Sequence, residues 1–507
     1  MANDAVVTNA QAAKLGLPAL IAMVVGSMVG AGVFQLPARF ARQTGVYGAL
    51  IAWGIAGLGM LTLALVFQNL ANRKPALDNG VYVYAREGFG IYPGFLSAVG
   101  YWASACAGNT FYWILIMTTI SQLFPGAEPV LGQGNTWVSF AISADAVWGF
   151  YFLIRQGVKE AAAINTIVTV AKLVPLALFL VLVLFFVKWD VFAANLTGGY
   201  DLPGGGNLFG QVQGTMLVTV FVFLGIEGAS VYSRHARNRS DVGRATVIGF
   251  LSVLALFACV SVLSYGILPK AKIAELPQPS VGSVLEAAVG PWGGALIRVG
   301  LIVSVLGAYL AWQLLAADVV FAAATDRDMP QYFARLNRHD VPSNAVLWTS
   351  IFVTAILFAV QFLENALDFT LDLTAALSLT PYALASGYAL KIAIRRDGYD
   401  RAGPDRRNRD LVIAAISTLY ALFLVWSAGY VFMFLASILL APATLLYYFA
   451  RREQRTASEP GGRPVVFTKP GWVVFIVLVL FAIVGVVLLA TGVVQIAPPA
   501  PVDYYNH

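Results

Sequence analysis

Charge is scarce in this 507-residue chain: Asp, Glu, Lys and Arg make up 11% of it, against 59% hydrophobic residues. So little polar surface cannot keep a folded particle of this size dispersed in water, which excludes a soluble multi-domain protein. Cysteine is nearly absent. Cys106 and Cys259 both fall within apolar stretches, so neither a disulfide framework nor a thiolate metal site is indicated. The three histidines lie in loops or at the terminus, and the reading includes no metal and no cofactor. A basic n-region is missing too. Residues 1–11 carry an acid and no Lys or Arg, so the first apolar stretch reads as a retained span and not a cleaved signal.

What the chain has is length without polarity. A membrane span needs about 20 mostly apolar residues, and about thirteen stretches meet that need: 17–37, 46–69, 92–123, 136–154, 161–187, 210–232, 244–268, 292–325, 346–362, 371–390, 411–427, 430–449 and 471–492. The predicted fold is an all-α integral membrane protein with no soluble domain between spans. Its orientation follows from the cations. With the N-terminus in the cytoplasm, the cytoplasmic loops and tails hold 25 of the 32 Lys and Arg, while only Arg39, Arg42, Lys188, Lys270 and Lys272 fall on the other side. These cations are spread over six loops and a terminus without aromatic interleaving, so the net charge of +6 reports topology and not nucleic-acid binding. The basic run 395–409 reads as a solvated loop, with contact to anionic lipid as the alternative.

Two spans carry glycine clusters at mid-depth: Gly26, Gly30 and Gly32 around Met28 in the first, Gly225 and Gly228 around Glu227 in the sixth. Small residues also serve close helix packing. Broken helices at corresponding places in two five-span halves, however, mark an inverted-repeat carrier with its site at the midplane. Unwinding frees backbone groups that hydrocarbon penalises unless a solute takes them. An amino acid supplies what is missing: its carboxylate accepts from N–H groups at Gly30, Ala31 and Gly32, and its ammonium donates to carbonyls between Phe221 and Leu224. A carboxylate at this depth costs roughly 2.5–3.5 kcal/mol even on the mildest insertion scale, so Glu227 is expected to face a cavity or a partner.

At these residues the chain resembles the amino acid–polyamine–organocation superfamily and, within it, the basic amino acid/polyamine antiporters, most nearly their arginine/ornithine branch. The likeness is carried by 25–37 (VGSMVGAGVFQLP), 70–86 (LANRKPALDNGVYVYAR), 164–176 (INTIVTVAKLVPL), 217–233 (LVTVFVFLGIEGASVYS), 239–250 (RSDVGRATVIGF) and 306–326, and so runs over nearly the whole chain. It implies a five-plus-five inverted-repeat fold: a tail over 1–16, repeats over 17–187 and 210–392, and extra helices over 393–507. The implied activity is exchange of L-arginine for L-ornithine across a bacterial inner membrane by alternating access, by a monomer or homodimer among membrane lipids.

The resemblance also implies roles. Glu227 links substrate occupancy to closure, with Tyr101 and Tyr382 pairing with it as a gate. The Trp312 ring stacks on the substrate guanidinium. Asn109 and the carbonyls around Ser104 and Ala105 accept from the distal cation, and the Thr374 hydroxyl lines the pocket. Lys172 substitutes for a sodium ion between the first and eighth spans; about a dozen residues from the span start, it sits too deep to reach water easily. Two positions depart from the family pattern: Ala31 stands for a serine beside the carboxylate, and Phe221 for an outer-gate tryptophan. Asp318 and Arg298, nearer span ends, read as structural. The alternatives are a proton-coupled importer, an exchanger of lysine, agmatine or histidine/histamine, and an integral-membrane enzyme. The last would need clustered carboxylates or histidines, which the sequence does not offer.

Overall fold

The computed structural model describes residues 16–74, 77, 81–157, 162–200, 206–227, 239–399, 404–457 and 467–493. The tail up to residue 15, Gly228 to Ser230 of the sixth-span cluster, and the loop arginines Arg234 and Arg237 lie outside the described residues. Among the described residues the chain is all helix and turn, with no strand. In hydrocarbon a backbone must satisfy its own N–H and C=O groups, and the helix does so within a single segment.

The longer helices are α1 Leu17–Met28, α2 Leu36–Gln43, α3 Val46–Arg73, α4 Val81–Phe89, α5 Ile91–Leu123, α6 Trp137–Arg155, α7 Ala162–Phe186, α8 Leu208–Val222, α9 Arg239–Ser264 and α10 Ser280–Val289. After them come α11 Pro291–Thr325, α12 Ser343–Ala359, α13 Ala366–Arg395, α14 Pro404–Ser427, α15 Gly429–Ala457 and α16 Lys469–Ala490. Proline opens α1, α2, α11 and α16, where the first-turn N–H has no intrahelical acceptor to lose.

Each expected stretch falls on one of these helices or, for the first, on a bent pair, except that the sixth, 210–232, is helical only through Val222 and its last five residues lie outside the described residues. Nine described helices are long and apolar enough to cross a bilayer alone, and α1 with α2, bent by 52°, makes a tenth span. Three helices do not pass on their own. α8 has only 15 residues before its turn, while α5 and α13 are diluted by polar side chains such as Ser104, Asn109, Asp368, Asp372 and Thr374. Those two helices form the middle of the bundle, so their polar groups meet protein and not lipid. Nearly all of α5 from Tyr92 to Ser121 is buried, whereas α16 buries only Gly471, Ala482 and Gly485.

Contacts sort the loops onto two faces. On the near face Arg73 at the end of α3 meets Asp410 at the start of α14 at 2.7 Å, and Arg86 of α4 meets Asp326 and Asp328 beyond α11 at 3.5 and 3.2 Å. On the far face α2 meets the start of α13, and Arg42 donates to the carbonyl of Ala274 at 3.0 Å.

Candidate functional site

The centre of the bundle is where the first and sixth spans break against each other. α1 ends at Val29, whose backbone is extended, and Ala31–Gln35 restarts as a tight 3-10 turn before α2. The N–H groups at Gly30, Ala31 and Gly32 therefore open a helical turn, the place where backbone donors have no intrahelical acceptor. α8 ends at Val222 and passes into a turn through Glu227. Gly225 has φ +99°, and a Cβ there would lie 2.5 Å from the carbonyl oxygen of Ser27; both facts demand glycine. A Cβ on Gly32 would lie 2.7 Å from the Phe221 ring. The two breaks are thus in contact, and any residue larger than glycine would force them apart.

Glu227 sits in this crossing, 8% exposed. Its carboxylate accepts from the hydroxyl of Tyr101 on α5, from that of Tyr382 on α13 at 2.8 Å, and from the N–H of Gly225 at 3.2 Å. Both phenols are buried. One carboxylate thus ties the sixth-span break to the two central helices. A cation entering the crossing has this carboxylate as its counter-charge.

Around the crossing, several polar groups are only half satisfied. Asn109, fully buried on α5, donates to Gln313 Oε1 at 3.0 Å, and Gln313 donates onward to Ser350 at 2.9 Å. The Asn109 Oδ1 acceptor has no partner among the described residues. Beside Gln313, the Trp312 indole is half-buried against the core yet has no ring contact or hydrogen bond among the described residues. Trp102 and Trp113, on the neighbouring helix, have both rings engaged, by Phe352 at 4.8 Å and Tyr309 at 5.1 Å. Trp312 thus stands one position from Gln313, the partner of Asn109, with no aromatic ring against its own among the described residues.

Two closures bound the crossing. The Glu227 and tyrosine knot is one. On the far side Phe221 packs edge-on to Phe111 at 4.8 Å, and beyond it Arg39 and Arg42 of α2 pair with Asp368 and Asp372 of α13, Arg39 reaching Asp368 at 3.3 Å. Outside these ion pairs lies a cavity of about 450 Å³ whose walls include Glu128, Glu275, Glu286, Glu364, Asp368, Arg42 and Arg298. Arg298 is held by Glu286 at 2.8 Å and Arg42 by Asp368. Glu128, Glu275 and Glu364 have no ion-pair partner among the described residues. Such a mouth concentrates cations.

Residues 15–437 match the amino acid permease family along their whole length. This chain belongs to the amino acid permease family. The permease is 44% identical to the arginine/ornithine antiporter of Pseudomonas aeruginosa, over 94% of this chain and 98% of that protein. It is 39% identical to the L-lysine transport protein of Corynebacterium glutamicum over 93% of this chain and 94% of that one. With the arginine/agmatine antiporter of Chlamydia pneumoniae it shares 33% over 95% and 98%.

The permease gathers most of the expected site residues into one region. Met28, Gly30, Ala31, Gly32, Phe221 and Leu224 line the crossing breaks, with Tyr101, Glu227 and Tyr382 knotted beside them. Lys172, 6% exposed, donates to the carbonyl of Gly26 at 2.6 Å, in the last turn of α1 where carbonyls lack intrahelical donors. Thr374 and Ser104 sit together, but their hydroxyls point into the framework. Ser104 donates to the Thr374 carbonyl at 2.7 Å, and Thr374 donates to the carbonyl of Thr370 one turn back. Ala105 is buried on the same stretch of α5.

Sequence reasoning missed three groups. Gln313 completes the Asn109 relay, Tyr112 places its hydroxyl 3.8 Å from the Cβ position of Gly30, and the Arg39, Arg42, Asp368 and Asp372 lock closes the far side. Only the lock had a usable signal. Two arginines three apart and two aspartates four apart each share one helix face.

Proposed function

We propose that this permease exchanges cationic amino acids, L-arginine inward for L-ornithine outward, across the bacterial cytoplasmic membrane with its N-terminus in the cytoplasm. The observation that carries the reading is Glu227 held at the crossing of two broken helices, between Tyr101 and Tyr382. The substrate carboxylate docks on the N–H groups of Gly30, Ala31 and Gly32 with Met28 beside it. Its ammonium faces the carbonyls between Phe221 and Leu224. Two of those carbonyls, Phe221 and Phe223, already receive a turn N–H at 3.2 Å, so they offer one remaining lone pair each.

The distal guanidinium or ammonium lies over Trp312 and donates to Asn109 Oδ1, with the carbonyls around Ser104, Ala105 and Thr374 as the wall. Entry of this cation competes with the two phenols for Glu227, and that competition couples occupancy to closure. Lys172, bound to α1, supplies the positive charge that a sodium ion would otherwise provide. The two breaks open a pair of five-helix repeats, 17–187 and 210–392, with 393–507 outside them. No bond is made or broken in this cycle, so the permease acts as a carrier and not an enzyme.

Exchange of one monovalent cation for another moves no net charge. In vesicles loaded with ornithine, labelled arginine uptake should therefore proceed when choline replaces sodium, be indifferent to an imposed membrane potential, and leave the lumenal pH unchanged. One proton appearing inside per arginine would replace the exchanger with a proton-coupled importer. Counterflow with lysine or agmatine matching ornithine would reassign the exchanged pair.

A further inference from the structure

A second cavity, of about 530 Å³, opens on the near face between α3, α9 and α14, away from the helix breaks. Its rim carries three guanidiniums, Arg244 from α9 with Arg406 and Arg409 from α14, and three carboxamides, Gln68, Asn69 and Asn72, from α3. Among the described residues no carboxylate lines it. Arg244 and Arg406 have no ion-pair partner among the described residues. The nearby carboxylate, Asp410, is engaged elsewhere: it takes Arg73 at 2.7 Å and Asn69 at 3.2 Å, and meets Arg409 only at 3.6 Å.

The rest of the wall is aliphatic. Val247 and Ile248 of α9 and Ile413 of α14 line it, and Ile248 is 45% exposed on a helix long and apolar enough to cross the bilayer. Retaining a loop on one side of a membrane requires arginines there, but does not require them to converge on one concavity with amide donors and no acid. A small soluble anion would satisfy the rim and leave the aliphatic wall bare. An apolar molecule would do the reverse. A ligand with an oxyanion at headgroup depth and hydrocarbon below it satisfies both.

We propose that this cavity binds the headgroup of an anionic phospholipid of the surrounding bilayer. The phosphate takes the Arg244, Arg406 and Arg409 guanidiniums, whose planar donor forks match its oxygens. The Gln68 and Asn72 carboxamides of α3 take the headgroup hydroxyls, and the acyl chains run down the exposed aliphatic side of α9. The site is independent of the substrate assignment, since none of its residues touches the helix breaks.

The test uses the full chain in neutral detergent and reads its thermal unfolding midpoint against added lipid. Phosphatidylglycerol should raise the midpoint by about 3–6 °C, while phosphatidylcholine with the same acyl chains and inorganic phosphate should leave it in place. R244Q/R406Q/R409Q should bind phosphatidylglycerol roughly a hundredfold more weakly and lose the shift, whereas R335Q/R338Q, near-face arginines outside the cavity, should keep it. Equal shifts with both lipids, a shift reproduced by inorganic phosphate, or a full response in the triple variant would overturn the proposal. Should the triple variant not fold, native mass spectrometry of the parent and R406Q decides: the parent must retain phosphatidylglycerol over phosphatidylcholine, and R406Q must retain less.

Discussion

The two closures of the central crossing are built from different chemistry. On the far side, Arg39 and Arg42 face Asp368 and Asp372, ion pairs whose side chains are 10–30% exposed. At the crossing, a single buried carboxylate, Glu227, is held by two neutral phenols and a backbone N–H. These pairs are mostly buried, so each charge depends on its partner and the lock can part only when α2 and α13 move away from each other. A carboxylate that accepts from two phenols and a backbone N–H gains a charge-assisted contact when a cation arrives beside it. The difference supports the proposed division, with the far lock serving conformation and the Glu227 knot serving substrate.

That division is sharpest at Glu227. Glu227→Gln keeps the shape and the two phenol contacts but removes the charge, and arginine/ornithine exchange in vesicles should fall by about a hundredfold with the protein still folded. Exchange at the parental rate would return Glu227 to a packing role. Tyr101→Phe and Tyr382→Phe, which leave the charge and loosen the knot, should fall by less.

Trp312 should come next. If its indole stacks on the substrate cation as proposed, Trp312→Leu loses about 2 kcal/mol of arginine affinity, near thirtyfold, in a binding titration, while Trp312→Phe loses less. Trp102→Leu, whose ring is already stacked on Phe352 at 4.8 Å, serves as the comparison and should spare affinity while lowering stability. The reverse outcome would mean that the ring left free does not mark the substrate.

The far lock should give a smaller effect of another kind. Arg39→Gln leaves Asp372 without its arginine and should lower the thermal midpoint, with arginine affinity changed little. The exchanged pair Arg39→Asp with Asp372→Arg should recover part of the loss. If affinity falls instead as it does in Glu227→Gln, the two closures are not distinct.

The smallest effect is expected on the near face, where Asp328 lies beyond the end of α11. Burial pushes its carboxyl up to about 6, against the pull of the Arg86 and Arg451 guanidiniums and with a further push from Asp326. In an unfolded chain it would titrate near about 3.9. The folded state therefore holds the proton more tightly, and the associated stability is present below pH 4 and lost as pH rises through 6. With hydration of the loop allowed for, about 1 kcal/mol is at stake. Asp328→Asn should flatten the thermal midpoint between pH 4 and 6.5, and an unchanged slope in that variant would assign the dependence to another group.

How much of this was readable beforehand varies with the physics involved. The spans were legible because hydrocarbon allows one backbone solution and the apolar runs are long. α5 and α13 were found as spans even though their polar content disqualifies them by apolarity alone. Glu227 stood out because an acid among apolar residues is conspicuous. The glycine clusters located both breaks, since a positive φ at Gly225 and a backbone approach of 2.5 Å at Ser27 leave few other residues.

What the residues by themselves could not decide was which groups meet. Gln313 is 204 positions from Asn109, and Asp372 is 333 from Arg39. Nothing local in a polar residue on a buried helix says which neighbour it faces. Thr374 and Ser104 show the same limit from the other side, because a hydroxyl in a helix has its own carbonyls to bond and turned to the framework here. Sequence alone determined the all-helical membrane fold, the positions of its two breaks and the presence of a buried acid between them, because each follows from one segment and its solvent. The tertiary structure alone decided that Glu227 is shared by Tyr101 and Tyr382, that Asn109 meets Gln313, and that three arginines converge on one near-face cavity. Those are relations between helices distant in sequence, set by how the bundle packs.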